Sequence, residues 1–239
     1  MSRPFVHYEP GTRPEAWSAL LDRPTFARDL SLANVRRALV VAPHPDDETL
    51  GAGGLIASLT ARGALVTVLS LTHGERAFGP ADPIVGFERR REQCGALRCL
   101  GQPRNPVQFV QLGLPEGALS EDPFLASRLS QPVREHDLCI GPWEGDGHPD
   151  HAATGAALGE ECGRAGVAYV AYPIWAWHWG LPDTDTFLER AVRFELDACA
   201  AQAKAAALEC YQSQRRGFAP LLSEEFLDHF RRPYEVFLS

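Results

Sequence analysis

Two short stretches carry the residues best suited to chemistry. The first, Pro43-His44-Pro45-Asp46-Asp47-Glu48, sets an imidazole beside three consecutive carboxylates. The second, Asp146-Gly147-His148-Pro149-Asp150-His151, adds two imidazoles and two carboxylates. Imidazole and carboxylate together suit a divalent, zinc-like ion that keeps an open position for water. Asp46 and Asp47 are adjacent, so in an extended segment they cannot both aim at one point. One can ligate an ion while the other faces the ion's open side. Pro43 and Pro45 stiffen the backbone around His44. Glu48 begins a helix, where its charge suits the positive helix end. His148 and His151 are three apart and share a face if a helix starts there. Asp150 is placed to orient His148. The plainer reading is a capped helix with surface histidines. Two such clusters, each after a predicted strand, favour a single composite site.

The elements that must position these loops alternate from Ala38 onward. The pattern predicts strands over Ala38–Ala42, Leu65–Leu71, Val107–Gln111, Leu138–Gly141 and Val167–Tyr172. Between them it predicts helices over Glu48–Arg62, Phe87–Leu100, Pro123–Glu135 and Ala152–Arg164, with Gly63 and Gly101 as stop signals. Apolar strands alternating with helices imply an α/β, Rossmann-like fold with a mostly parallel sheet and helices on both faces. Ligands of such sheets bind beyond the carboxyl ends of the strands, where strand order reverses. Both loops fall at such ends. Further on, a strand near Val192–Leu196 and helices near Ala198–Tyr211 and Glu224–Phe230 complete the domain. Residues 1–36, rich in Pro and Arg, are expected to wrap its surface as an extension of a 37–239 domain. Gly51, Gly53 and Gly54 let the first helix pack closely on the sheet. Their spacing is not G-x-G-x-x-G, and an acidic loop does not suit a dinucleotide phosphate.

The chain has 239 residues, and 45% of them are hydrophobic, enough for a full core. With 31 acidic and 23 basic residues the formal net charge is −8, which argues against a nucleic-acid partner. No apolar run approaches the ~20 residues of a membrane span, and the N-terminus has no signal-peptide core. The six cysteines include no C-x-x-C pair. They fit packed, reduced thiols and a cytoplasmic location. Lys204 is the single lysine, which reads as genomic bias.

These residues resemble the PIG-L / LmbE-like zinc-dependent de-N-acetylases, whose first motif is A/P-H-P-D-D-E and whose second is H-P-D-H. Weaker matches are Leu71-Thr72-His73-Gly74-Glu75, the Arg89…Glu92 helix ending in Leu100-Gly101, and Lys204 through Ser213-Gln214. At Leu114-Pro115-Glu116-Gly117 the chain has Glu where many relatives have Asp. The resemblance implies one zinc ion, or Fe(II), held by His44, Asp47 and His151. It makes Asp46 the general base and His148, paired with Asp150, the group facing the tetrahedral intermediate. The implied reaction is attack of a metal-bound water on the N-acetyl carbonyl of an amino sugar or N-acetylglucosaminyl conjugate. The chemistry is coherent on its own, because an amide carbonyl needs polarising and its water needs a base.

Glu75, Arg76, Trp177 and His178 are the candidates for substrate contact. Trp175, Trp177 and Trp179 follow a predicted strand end, and alternate spacing sets them on one side of an extended segment. They are read either as core packing or as a wall of the substrate pocket. Arg76 and Arg89 to Arg91 read more readily as surface charges than as anchors. Two other functions stay open: a metal-dependent hydrolase of phosphoesters or other amides, and a non-catalytic metal scaffold. The spare carboxylate Asp46 argues against the scaffold, since a structural zinc site is closed. Self-association is left open by the sequence.

Overall fold

The computed structural model describes residues 10–21, 30–182, 184, 187–218 and 220–239. Parts of the N-terminal extension, residues 1–9 and 22–29, lie outside the described residues. Seven strands form one sheet: β1 (Arg37–Ala42), β2 (Leu65–Thr72), β3 (Gln108–Leu114), β4 (Leu138–Pro142), β5 (Ala168–Tyr172), β6 (Ala191–Glu195) and β7 (Tyr234–Leu238). Their order is β3-β2-β1-β4-β5-β7-β6. Strands β1 to β5 pair in parallel, and β7 runs antiparallel to both β5 and β6. The α/β fold with a mostly parallel sheet is therefore as the sequence predicts.

Alternation along β1 divides the core. Ala38 and Val40 join one hydrophobic cluster, Leu39 and Val41 another. The first cluster lies under α2 (Asp47–Ala61), α3 (Pro83–Leu100) and α7 (Ala198–Leu208), which pack on one another. The second lies under α4 (Leu125–Arg134) and α5 (Pro149–Ala165). A strand covered on both faces must be apolar at every position, which explains the continuous run in β1.

The chain moves outward from β1 to β2 to β3, then returns to the other side of β1 for β4 and β5. The order thus reverses between β1 and β4. The β1–α2 and β4–α5 loops, which hold the two histidine motifs, meet at that crevice.

Three elements differ from expectation. Helix α1 (Pro14–Leu21) lies within the extension, and its Trp17 is fully buried, with its indole N–H donating to Trp177 O at 2.8 Å. Strand β7, five residues with Glu235 inside an otherwise apolar run, has no clean alternation, so the sequence pattern conceals it. The tryptophan segment is not extended: Ala176–Trp179 form a helical turn, α6. A short helix, α8 (Glu224–Asp228), follows α7.

Helix α2 is kinked at Ala52 (φ −142°, ψ 15°). Glu235 of β7 accepts from Gly54 N at 2.7 Å and Leu55 N at 2.8 Å. Lys204 of α7 donates to Leu50 O at 2.9 Å and to Glu235 at 2.7 Å. The single lysine thus has a structural task that composition did not suggest. A Cβ on Gly51 would sit 2.4 Å from the Tyr172 ring, and one on Gly54 2.4 Å from Leu196. Close packing of α2 accordingly requires glycine at both positions.

Candidate metal-dependent active site

Each motif is presented by a strand end that turns into a helix. After β1, Thr72 holds the Pro43 carbonyl with both its backbone N–H (3.1 Å) and its hydroxyl (2.8 Å). Asp46 occupies the left-handed side of backbone space at φ 140°. For a residue with a Cβ that conformation is strained, and it turns the chain into α2 so that Asp46 O accepts from Thr49 N and Leu50 N. After β4, Pro149 stands at the first position of α5, where its missing N–H costs nothing. His148 is the N-cap residue, and its Nδ1 accepts from Asp150 N at 3.1 Å.

The loops bring three ligand atoms together. His44 Nδ1, Asp47 Oδ2 and His151 Nε2 form a triangle whose three sides are each 3.2 Å. Donors about 2.0–2.1 Å from a tetrahedral ion lie roughly 3.3–3.4 Å from one another. The triangle therefore has the size of one face of such a site. A wider trio of imidazole nitrogens, from His44, His148 and His151, also converges within 4.8 Å. The set containing Asp47 is the tighter one, and the Asp150 N–H already occupies His148 Nδ1. His148 instead stands beside the triangle, its ring centre 4.7 Å from that of His44 and 4.8 Å from that of His151.

Charge makes the same case. Asp46, Asp47, Glu48, Glu116, Asp146 and Asp150 are all buried, with Arg89 as the buried guanidinium among them. Burial disfavours a charged imidazole, yet Asp150, Asp47 and Glu116 hold His44 well above the ordinary histidine range. Burial likewise opposes charge on His151, but Asp47 and Asp146 raise it to about 9. Two histidines drawn toward protonation mark a place short of positive charge, which a divalent ion supplies. The donor set, its spacing and its charge fit such an ion.

The surrounding groups orient the triangle. Asp150 Oδ2 accepts from His44 Nε2 at 3.1 Å and from Gly117 N at 2.7 Å. Asp150 therefore orients His44 and not, as the sequence suggested, His148. The reason is the cap: Asp150 lies in the first turn of α5, with only its backbone N–H directed to His148. Asp146 Oδ2 accepts from His151 Nδ1 at 2.7 Å. Asp47 Oδ2 also accepts from His44 N at 2.8 Å. Glu48 is fully buried and accepts from Tyr211, Thr49 and Gln93, so it braces the loop from behind.

A cleft of about 270 Å3 opens above the triangle. Its floor holds His44, Asp46, Asp47, His148, Arg89 and Glu116. Its wall is apolar and includes Trp175, Leu222 and Phe226, with Trp175 and Phe226 stacked at 4.6 Å. Burial is the largest influence on Asp46 and pushes its carboxyl up to about 8, against the pull of Arg89. Burial, together with the neighbouring histidines, takes His148 down to about 2. His148 is thus a neutral imidazole with Nδ1 accepting and Nε2 carrying the proton.

Of the four candidates for substrate contact, Arg76 lines the cleft. Glu75 turns away, and its Oε1 accepts from Glu116 N at 2.9 Å. Trp177 is buried against Trp17 and Phe187 on the far side of α6. His178 lies outside the cleft lining and packs on Trp175 and Trp179. Helical spacing is the cause: only Trp175, at the start of the turn, faces the cleft. Arg89 corrects the surface reading. It is 1% exposed, donates to Gly74 O, Pro45 O and Gln214 Oε1, and approaches Asp46 Oδ2 at 3.4 Å. Glu92, one turn later, accepts from Ser213 N and Ser213 Oγ. The Arg89…Glu92 and Ser213-Gln214 matches are therefore two sides of one contact. The sequence carried signals for Arg89 in that motif and for Asp146 in its acidic cluster. Leu222 and Phe226 had none.

The chain is similar to known proteins in sequence and fold. The sequence profile of the family described as PIG-L: GlcNAc-PI de-N-acetylase matches residues 39–161. A 1D-myo-inositol 2-acetamido-2-deoxy-alpha-D-glucopyranoside deacetylase of Rhodococcus jostii (strain RHA1) is 34% identical over 169 residues, 54% of this chain and 58% of that protein. The chain spans between about half and three fifths of the length of the curated relatives it matches. Among solved structures, a conserved protein of Thermus thermophilus is 31% identical, with a TM-score of 0.56 over 74% of this chain and 79% of that one. The N,N'-diacetylchitobiose deacetylase of Pyrococcus horikoshii shares the fold, with a TM-score of 0.62 over 92% of this chain and 86% of that one, at 21% identity. The profile match runs from β1 into α5 and includes His44, Asp47 and His151, and the chain belongs to the PIG-L (GlcNAc-PI de-N-acetylase) family.

Proposed function

We propose that this protein is a metal-dependent hydrolase that removes an N-acyl group, acetyl in the simplest case, from an amino sugar or N-acetylglucosaminyl conjugate. The observation that carries the reading is the 3.2 Å triangle of His44, Asp47 and His151, open to a cleft that also holds Asp46 and His148. These three residues would hold zinc, or Fe(II). The chemistry supplied by a divalent ion there is polarisation of a carbonyl and acidification of water to a pKa near ~7.

The chain's own residues do the rest. Asp46 takes the proton of the attacking water and returns it to the departing nitrogen. Its strained backbone and the Arg89 contact fix where the carboxylate points. Arg89 already opposes the effect of burial on this carboxyl, and the positive charge of a bound ion would lower its proton affinity further. His148, its Nδ1 accepting from Asp150 N, carries its proton on Nε2 and offers a hydrogen bond to the oxyanion. Trp175 and Phe226 supply an aromatic face for the apolar side of a sugar ring.

The cleft volume of about 270 Å3 suits one sugar ring with its acyl group; larger ligands need clefts toward the upper part of the ~300–1,000 Å3 range. The larger part of a conjugate would then lie outside it. The second reading, phosphoester hydrolysis, is disfavoured by the six carboxylates around the site, which repel a multiply charged phosphate more than a neutral amide. Among the described residues no helix is long and apolar enough to cross a membrane. A cytoplasmic location is part of the proposal, supported by six free cysteines.

The test is direct. Protein loaded with zinc is given N-acetylglucosamine, N,N'-diacetylchitobiose and phosphate esters, and acetate, free amine and phosphate are measured. Acetate and amine should appear in equal amounts and cease after chelation. Phosphate release faster than deacetylation would overturn the reading.

A further inference from the structure

Asp146 is 1% exposed, and both its carboxylate oxygens are engaged twice. Oδ2 accepts from His151 Nδ1 at 2.7 Å and from Trp175 N at 3.0 Å. Oδ1 accepts from Ile174 N at 2.7 Å and from Ala176 N at 3.0 Å. A carboxylate has about four acceptor positions, and all are used. One bond fixes the tautomer of His151, so that its Nε2 faces His44 and Asp47. The other three hold consecutive N–H groups at the start of α6, which have no acceptor within the helix. Trp175, the residue on that turn, forms the cleft wall and stacks on Phe226. The triangle and the wall thus hang from one side chain.

Following the metal-dependent reading given above, we propose that Asp146 is a positioning residue that couples ion binding at His151 to the placement of the Trp175 wall. An ion that fixes His151 fixes Asp146, and with it the backbone of Ile174 to Ala176. The substrate wall is then held more firmly when the site is loaded. Asp146 touches no reacting atom. Its neighbour Gly147 adopts φ 86° with Trp179 3.3 Å from where a Cβ would stand, so the loop has little room to absorb a shift.

Asparagine at this position keeps the shape but offers one acceptor oxygen. Its amide NH2 must then face either His151 Nδ1 or the backbone N–H groups. For Asp146→Asn, zinc affinity by chelator competition should fall ~10–100-fold. At saturating zinc, KM for an N-acetylglucosaminyl substrate should rise more than kcat falls. Trp175→Ala should raise KM alone, and in the Asp146→Asn background it should add little further. Unchanged zinc affinity, or KM effects that simply multiply, would overturn the coupling.

The wild-type protein gives a readout that does not depend on a variant's folding. Amide hydrogen exchange of a peptide spanning residues 170–180, in chelator-stripped protein, should slow about threefold or more on adding zinc alone. Zinc binding and deacetylation with no change in that peptide would sink the coupling and leave the functional reading intact. A protein that binds no zinc would overturn both.

Discussion

His44 is held from behind by Asp150: its Nε2 donates to Asp150 Oδ2 at 3.1 Å across 106 residues of sequence. That bond directs Nδ1 of the same ring at Asp47 and His151. The Asp150 carboxylate also collects Gly117 N–H and Leu119 N–H from the loop after β3. Burial resists its ionisation, but the bond and charge of His44, with Gly117 N–H, bring it down to about 2. It is therefore an anion at neutral pH, and it ties His44 of the first motif to the second motif and to the loop after β3.

Asp150→Asn should accordingly weaken the ion more than the fold. The ring of His44 keeps a neutral acceptor but loses the charge that raises its basicity. Zinc affinity should drop ~10–100-fold, measured against a chromophoric chelator. kcat at saturating zinc should fall less than affinity does. Full wild-type affinity in this variant would refute that role of Asp150.

Asp46→Asn separates binding from chemistry. Asp46 stands outside the triangle, so metal content should be unchanged. kcat should fall by ~10²–10⁴, the usual size of a lost acid–base group. Elemental analysis and turnover on one preparation decide it. A variant that turns over at the wild-type rate would remove Asp46 from the mechanism.

How much of this was legible follows from range. Motifs at strand ends are local, and topology alone brings two such loops to the switch point. Hence two converging histidine–carboxylate loops were legible without coordinates, while the choice of His44, Asp47 and His151 as candidate ligands rested on the family resemblance. Partnerships between distant residues are not local. Asp150 at position two of α5 looks placed for His148, and only the loop geometry gives it to His44. Trp175, Trp177 and Trp179 suit a strand by period and a helix by neighbourhood; Asp146, by capping that turn, makes it helical. β7 was hidden for a related reason. Glu235, its second residue, breaks the apolar pattern, because its partners are a helix kink and a lysine about thirty residues upstream.

The tryptophans now make opposite predictions. Trp175→Ala or Phe226→Ala removes part of the cleft wall, so KM should rise with metal content unchanged. Trp177→Ala empties a core site between Trp17 and Phe187 and should cost ~3–5 kcal/mol of stability. Its surviving folded fraction should show near-normal KM. Thermal melts and KM on the same samples distinguish them, and a raised KM with an unchanged melt for Trp177→Ala would reverse the assignment.

The Lys204–Glu235 pair gives the last test. Both groups are nearly inaccessible, and together they bond the Gly54 N–H and the Leu50 carbonyl beside the kink in α2. Removing one charge leaves the other buried and alone. Lys204→Met should therefore lower stability by ~3–5 kcal/mol. Adding Glu235→Gln to that variant should recover part of the loss. Glutamine keeps an acceptor for Gly54 or Leu55 N–H and leaves no charge stranded. Leu50 lies on the kink and also lines the cleft, so the single variant should raise KM as well as lower the melting temperature. Denaturant unfolding of the two single variants and the double variant closes the cycle. Strictly additive losses would show that the two side chains do not act as a pair, and the kink would then need another support.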